Sequence, residues 1–155
     1  MPSGKSSLPI PQDALDLLRA FCARDVRFLI VGAHALGYHG APRATGDFDL
    51  FVDPAPENAL RVMAALEEFG APLFDLDLED LSRPGVVFQM GVPPYRIDLN
   101  TALTGISFEE AWRDRVIESA HGVVLSVISR AAMIKNKRAT GRPKDLLDLE
   151  LLGEG

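Results

Sequence analysis

The chain has 155 residues, of which 47% are hydrophobic and 25% charged, ordinary proportions that exclude disordered, collagenous and coiled-coil classes. Its length suits one domain whose core closes without disulfides or structural metal. Sixteen Lys and Arg against twenty-two Asp and Glu leave a net charge of −6, which argues against a general nucleic-acid or anionic-membrane binder while allowing a local basic patch.

Residues 1–10 are rich in Ser, Gly and Pro and read as a flexible N-terminus, leaving 11–155 as the single domain. Pro11 suits the first turn of a helix in which Leu15, Leu18 and Cys22 share a face, widened by Leu17 and Phe21 and ending near Asp25. Residues 26–31 form a buried strand, Gly32 follows at once, and 33–38 read as a short helix broken by Gly40-Ala41-Pro42. The alternation over 47–53 predicts a strand stopped by Pro54 and Pro56. An amphipathic helix over 57–69 places Leu60, Met63, Ala64 and Leu66 inside, with Gly70 as its stop. Short strands over 86–90 and 95–99 flank a hairpin-sized link, and 108–113 read as a helical turn. A second hairpin joins 116–119 to 123–127 through His121-Gly122, and helices over 129–138 and 144–152 surround Gly141-Arg142-Pro143. The order predicts an α+β fold, a mixed sheet with helices.

Asp47-Phe48-Asp49 carries the chemistry. On a strand the two carboxylates share a face about 7 Å apart, while Phe48, Leu50 and Val52 point into the core. Ionised carboxylates side by side repel each other, and a divalent cation removes that repulsion. The plain alternative is an edge strand with acidic residues facing water. Asp98 alternates with Ile97 and Leu99, so it faces away from the core as well. If the two strands are neighbours, three carboxylates converge in a pattern suited to two hard metal ions about 3.5–4 Å apart. The alternative for Asp98 is an ion pair with Arg96 or Arg115. Val31-Gly32-Ala33-His34, at a strand-to-helix junction, lets a phosphate approach the backbone.

Taken in order, strand, Gly-small turn, short helix and Thr45-Gly46-Asp47-Phe48-Asp49, with Asp98 on a later strand, the chain resembles the nucleotidyltransferase superfamily. It is most similar to small bacterial nucleotidyltransferase-like proteins related to AbiEii-type toxins and to minimal nucleotidyltransferase antitoxins. The matching run is Gly32-Ala33-His34-Ala35, His39-Gly40, Arg43, Thr45, Asp47 and Asp49, and 137–145, Lys137 to Asp145, resemble the C-terminal motif. The resemblance spans residues 10 to 152 and implies a nucleotidyltransferase fold with short C-terminal helices. It implies transfer of a nucleoside monophosphate from a nucleoside triphosphate to an acceptor hydroxyl, with Mg²⁺ or Mn²⁺ as cofactor. Asp47, Asp49 and Asp98 would be the catalytic and metal-binding residues. Gly32, Ala33, Arg43, Thr45 and Lys137 would bind nucleotide, with Lys137 coming back over the turn at Gly32.

Ala33 departs from the Gly-Ser or Gly-Gly pattern and loses a serine hydroxyl contact. This leaves a second reading open, a non-catalytic antitoxin-like module on the same fold. A haloacid-dehalogenase-type phosphatase, also built on Asp-x-Asp, wants an apolar strand running straight into its first Asp, and Ala44-Thr45-Gly46 stands there instead. The expected partners are the triphosphate and a protein, either a toxin or antitoxin or a second copy of the chain; free RNA is disfavoured by the acidic balance. The lone Cys22 suits a reducing cytoplasm, and no apolar run approaches the ~18 residues of a membrane span. Gly4-Lys5-Ser6 has no strand before it to make a P-loop. The acidic run 75–80 lacks the Gly and Glu of a calcium loop, and His34, His39 and His121 lack zinc spacing with Cys22.

Overall fold

The computed structural model describes residues 9–42, 45–92 and 96–154. Most of the expected flexible N-terminus, Arg43, and Tyr95 with the end of the link before it lie outside those residues. Thirteen elements follow in chain order. They are α1 (Gln12–Ala23), β1 (Phe28–Val31), α2 (Gly32–Tyr38), β2 (Asp47–Val52), α3 (Pro56–Phe69), α4 (Leu78–Leu81), β3 (Val87–Met90), β4 (Arg96–Asn100), α5 (Phe108–Arg113), β5 (Val116–Ala120), β6 (Val123–Val127), α6 (Arg130–Thr140) and α7 (Pro143–Leu151). No helix among the described residues is long and apolar enough to cross a membrane.

The strands form one six-stranded sheet in the order β3-β4-β2-β1-β6-β5. β1 runs antiparallel to β2, while β2 and β4 are parallel, as are β1 and β6. The two outer pairs, β3 with β4 and β5 with β6, are antiparallel hairpins. The β5–β6 turn is His121-Gly122, with positive φ at both residues (55° and 78°), the backbone of a two-residue hairpin that follows the sheet's twist. The sheet is therefore mixed and flanked by helices, as the alternation of elements predicts.

β1 is buried along its whole length and sits at the centre of the core. Phe48 and Leu50 of β2 are fully buried with Phe21, Leu17 and Leu18 of α1, and α1 packs on α3. On the other side of β2, Phe51 meets Phe108 of α5 edge-on at 5.0 Å, and the rest of that face is left to α6, α7 and the site.

Some elements depart from the sequence reading. α3 buries Leu66 as expected but otherwise turns a different stripe inward: Ala59, Val62 and Ala65 are buried, whereas Leu60 is 57% exposed and Met63 and Ala64 are half-buried. The stripe packs on α1, and its two alanines take up less room there than a Leu60–Met63 face would. Buried with them is a polar residue, Asn58, only 2% exposed. Its amide accepts from Arg27 N–H at 2.7 Å and donates to the carbonyls of Arg27 (3.1 Å) and Asp53 (2.8 Å), tying the start of β1 to the end of β2. The acidic run 75–80 leads into α4 (Leu78–Leu81), which the sequence reading omitted. Asp77 accepts from Asp80 N–H at 2.8 Å and Asp80 accepts from Asp77 N–H at 3.1 Å, a reciprocal cap that holds a single helical turn.

Candidate active site

The site is assembled across three neighbouring strands. Val31 at the end of β1 pairs with Asp49 of β2, and Asp49 pairs with Asp98 of β4. The parallel register places the two carboxylates side by side, and Asp47, two residues earlier on the same face, completes the group. Each of Asp47, Asp49 and Asp98 offers an oxygen, and these oxygens lie within 4.8 Å of one another. The core-facing Phe48 and Leu50 between and after them hold β2 in this phase.

Gly32 is the fourth element of the group. It follows Val31 directly with φ +68°, a left-handed conformation that glycine adopts without strain. A Cβ on it would stand 2.1 Å from Asp49 Oδ2, so the Asp49 carboxylate occupies the space a side chain there would need. Around these residues lies an open cleft of about 260 Å³, lined also by Met133, Asn136 and Lys137 of α6 and by Arg142, Lys144 and Asp145 at the start of α7.

Charge in the cleft is unevenly satisfied. The Arg96 guanidinium, on the same face of β4, donates to Asp47 Oδ2 at 2.9 Å and to Asp98 Oδ2 at 3.4 Å. Its Nε also stands 3.1 Å from Asp98 Oδ1, but the two are not aligned as a hydrogen bond, and both remain buried without a hydrogen-bond partner. Both alternatives for Asp98 thus hold together: it joins the carboxylate cluster and pairs with Arg96. Asp49 makes no hydrogen bond or ion pair among the described residues. Burial first, then the negative charges of Asp98 and Asp47, push its pKa up to about 6, against the opposing pull of Lys144 and Arg96. Burial raises the Asp98 carboxyl too, with Asp47 adding to it and Arg96 and Gln89 opposing.

No protein-family model and no curated protein matches the chain. Five chains among solved structures do match. One is the crystal structure of TM1012 from Thermotoga maritima, described there as a "putative nucleotidyltransferase", at TM-score 0.56 and 16% identity, covering 95% of this chain and 97% of that one. The chain has a nucleotidyltransferase-like fold. At that identity the likeness concerns the fold, and the site has to be judged on its own residues.

Those residues fit a hard divalent cation. The donors are carboxylate oxygens, one of them, Asp98 Oδ1, is buried with no hydrogen-bond partner, and Gly32 leaves the Asp49 side of the cluster uncrowded. Asp47 and Asp49 of β2 and Asp98 of β4 are the residues that could hold it.

The remaining residues singled out in the sequence are distributed differently. Ala33 is 6% exposed and is not among the residues that line the cleft. The Thr45 hydroxyl accepts from Asp47 N–H at 3.1 Å and shapes the turn into β2. Lys137 lines the same cleft as Gly32, but it is only 7% exposed. Its ammonium donates to Asp148 Oδ2 at 2.8 Å and stands 3.9 Å from Asp145. Both acids are almost wholly buried, and the pair ties α6 to α7. His39 meets the Ile128 carbonyl at 2.7 Å, and His34 packs on Phe48 at 4.6 Å, its basicity lowered by burial against a hydrogen bond to the Asp47 backbone.

Two features escaped the sequence reading. One is the contact of Arg96 with Asp47: the sequence offers Arg96 as a partner for Asp98, but lying on the same strand face it also reaches the neighbouring strand. The other is the pair Asp145 and Asp148, one turn apart on α7, whose spacing puts both on one helix face but does not tell that the face is buried.

Proposed function

We propose that the chain is a divalent-cation-dependent nucleotidyltransferase that moves a nucleoside monophosphate from a nucleoside triphosphate to an acceptor hydroxyl. The observation that carries this reading is the in-register convergence of Asp47, Asp49 and Asp98 beside a glycine whose missing side chain makes room for the Asp49 carboxylate. Asp47, Asp49 and Asp98 would hold Mg²⁺ or Mn²⁺, which when bound supplies Lewis-acid polarisation and neutralises clustered negative charge. Asp98 would also be the group that accepts the acceptor's hydroxyl proton. The freed oxygen bonds to the α-phosphorus, the bond from that phosphorus to the bridging oxygen of the β-phosphate breaks, and pyrophosphate leaves with the electron pair. The chain's own contribution is positioning and electrostatic complementarity.

A specific pair of observations favours a second reading, an antitoxin-like module that keeps the fold without the reaction. Arg96 already neutralises two of the three carboxylates, and Ala33 supplies no hydroxyl to a phosphate. One experiment separates the two. The four nucleoside triphosphates, each labelled on the α-phosphate, are incubated with the full chain and Mg²⁺ or Mn²⁺, with and without lysate of the source cells. Label transferred to a macromolecule by the natural chain and lost in Asp49→Asn supports the transferase. Binding of triphosphate without transfer under every condition supports the module, whose partner would then be a toxin, an antitoxin or a second copy.

A further inference from the structure

Among the described residues four cations line the cleft, Arg96, Lys137, Arg142 and Lys144, and three of them are committed within the protein. Arg96 is shared between Asp47 and Asp98. Lys137 is buried against Asp148 and Asp145. Arg142 holds Asp145 with two donors, Nε to Oδ2 at 2.7 Å and Nη2 to Oδ1 at 3.2 Å, and this two-pronged pair keeps it cationic. Lys144 is different. It is exposed, and among the described residues it makes no ion pair and no hydrogen bond.

The backbone beneath it is fixed all the same. Asp145 also accepts from Arg142 N–H at 3.2 Å, so the start of α7 is closed by a ring of contacts, and Lys144 lies inside that ring. A lysine in the first turn of a helix faces the positive end of the helix dipole, a placement that favours acidic residues instead. Helix stability therefore gives no reason for a lysine at this point.

The negative groups of the cleft divide in the same way. Asp47, Asp98 and Asp145 have cationic partners, and Asp49 has none at contact distance among the described residues. The nearest balance for Asp49 comes through space, from Lys144 and Arg96. Among the described residues two opposite charges are thus left uncommitted in one cleft of about 260 Å³, the half-buried Asp49 carboxylate and the exposed Lys144 ammonium. A ligand that meets both must carry a hard cation at one end and strong negative charge at the other, which is the chemistry of a metal-chelated polyphosphate.

We propose that Lys144, rather than Lys137, is the residue that carries the phosphate charge of the substrate, and that Lys137 is a positioning residue holding α7 in place. This rests on the nucleotidyl-transfer reading of the same cleft. Because the base is unknown, the probe is inorganic tripolyphosphate with Mg²⁺, its affinity measured by calorimetry at two salt concentrations for the natural chain, Lys144→Gln, Lys144→Arg and Asp49→Asn, with melting curves for each. The expected result is that Lys144→Gln melts with the natural chain and binds tripolyphosphate about tenfold more weakly with a shallower salt dependence, while Lys144→Arg keeps most of the affinity. Unchanged affinity in Lys144→Gln, alongside its loss in Asp49→Asn, overturns the Lys144 assignment and leaves the nucleotidyl-transfer reading standing. A large fall in melting temperature in Lys144→Gln overturns it too, by showing a structural role. Failure of the natural chain to bind tripolyphosphate or any of the four nucleoside triphosphates with either metal overturns the function itself.

Discussion

The Asp49 carboxylate lies where the side chain of residue 32 would have to go: a Cβ on Gly32 would stand 2.1 Å from Asp49 Oδ2. The glycine is thus required twice, by the contact and by its φ of +68°. Gly32→Ala is expected to lower stability by about 1–3 kcal/mol and to displace Asp49, so that Mn²⁺ affinity, read by electron paramagnetic resonance, drops at least ~10-fold. Gly37→Ala is the control on the same helix, because nothing but Pro42 lies within 4 Å of its added Cβ, at 3.8 Å. It should melt at or above the natural temperature. Equal damage from both substitutions would rule out the special role of residue 32.

The Asp49 carboxyl titrates in the folded chain at about 6, above its ordinary 3.8. The folded state therefore holds a proton that the unfolded state has already lost, and stability without metal falls as pH rises from about 4 through 6. A bound divalent cation favours the ionised form and reverses the penalty. Mg²⁺ or Mn²⁺ is expected to raise the melting temperature clearly at pH 7.5 and little at pH 5. Asp49→Asn should melt higher than the natural chain at pH 7.5 without metal and should not respond to the cation. Melting curves at the two pH values check all three statements, and a cation response that is larger at pH 5 would contradict them.

Lys137 and Asp148 form a buried pair at 2.8 Å, with side-chain exposures of 9% and 0%. Removing the ammonium alone leaves a carboxylate in the interior without it, so Lys137→Met is expected to cost about 3–5 kcal/mol in urea unfolding. Lys137→Met with Asp148→Leu removes both charges and should recover most of that loss. A double variant as unstable as the single one would show that the pair does not act as a unit.

Asn58 fills three hydrogen-bonding roles between β1 and the loop after β2. Asn58→Ala leaves the Arg27 N–H and two carbonyls without that partner and should destabilise by about 2–4 kcal/mol. Leu60→Ala, one turn-face away and exposed, should change stability by less than ~0.5 kcal/mol. Denaturant midpoints for the two variants decide between this stripe of α3 and the one its hydrophobicity suggests.

Much of this molecule is dictated locally. Strand alternation alone sends Asp47 and Asp49 to one face of β2 and Asp98 to the non-core face of β4, because a side chain two residues on returns to the same side whatever surrounds it. The stop at Gly70 and the turn at His121-Gly122 are equally local, since they depend on the backbone angles of one or two residues. Most of the stripe that α3 buries was not legible: hydrophobicity marks Leu60, but packing on α1 buries Ala59, Val62 and Ala65, and that packing is a property of the pair. Nor could the sequence place β4 beside β2 in parallel register, and without that adjacency the three aspartates are separate residues rather than a site. The same holds for the basic C-terminal segment. As a string, Lys137, Arg138, Arg142 and Lys144 are interchangeable positive charges. Only the packing of α6 on α7 commits Lys137 to Asp148 and Arg142 to Asp145 and leaves Lys144 exposed in the cleft, because a charge is spent or available according to what lies within about 4 Å of it, and those neighbours are set by the tertiary fold.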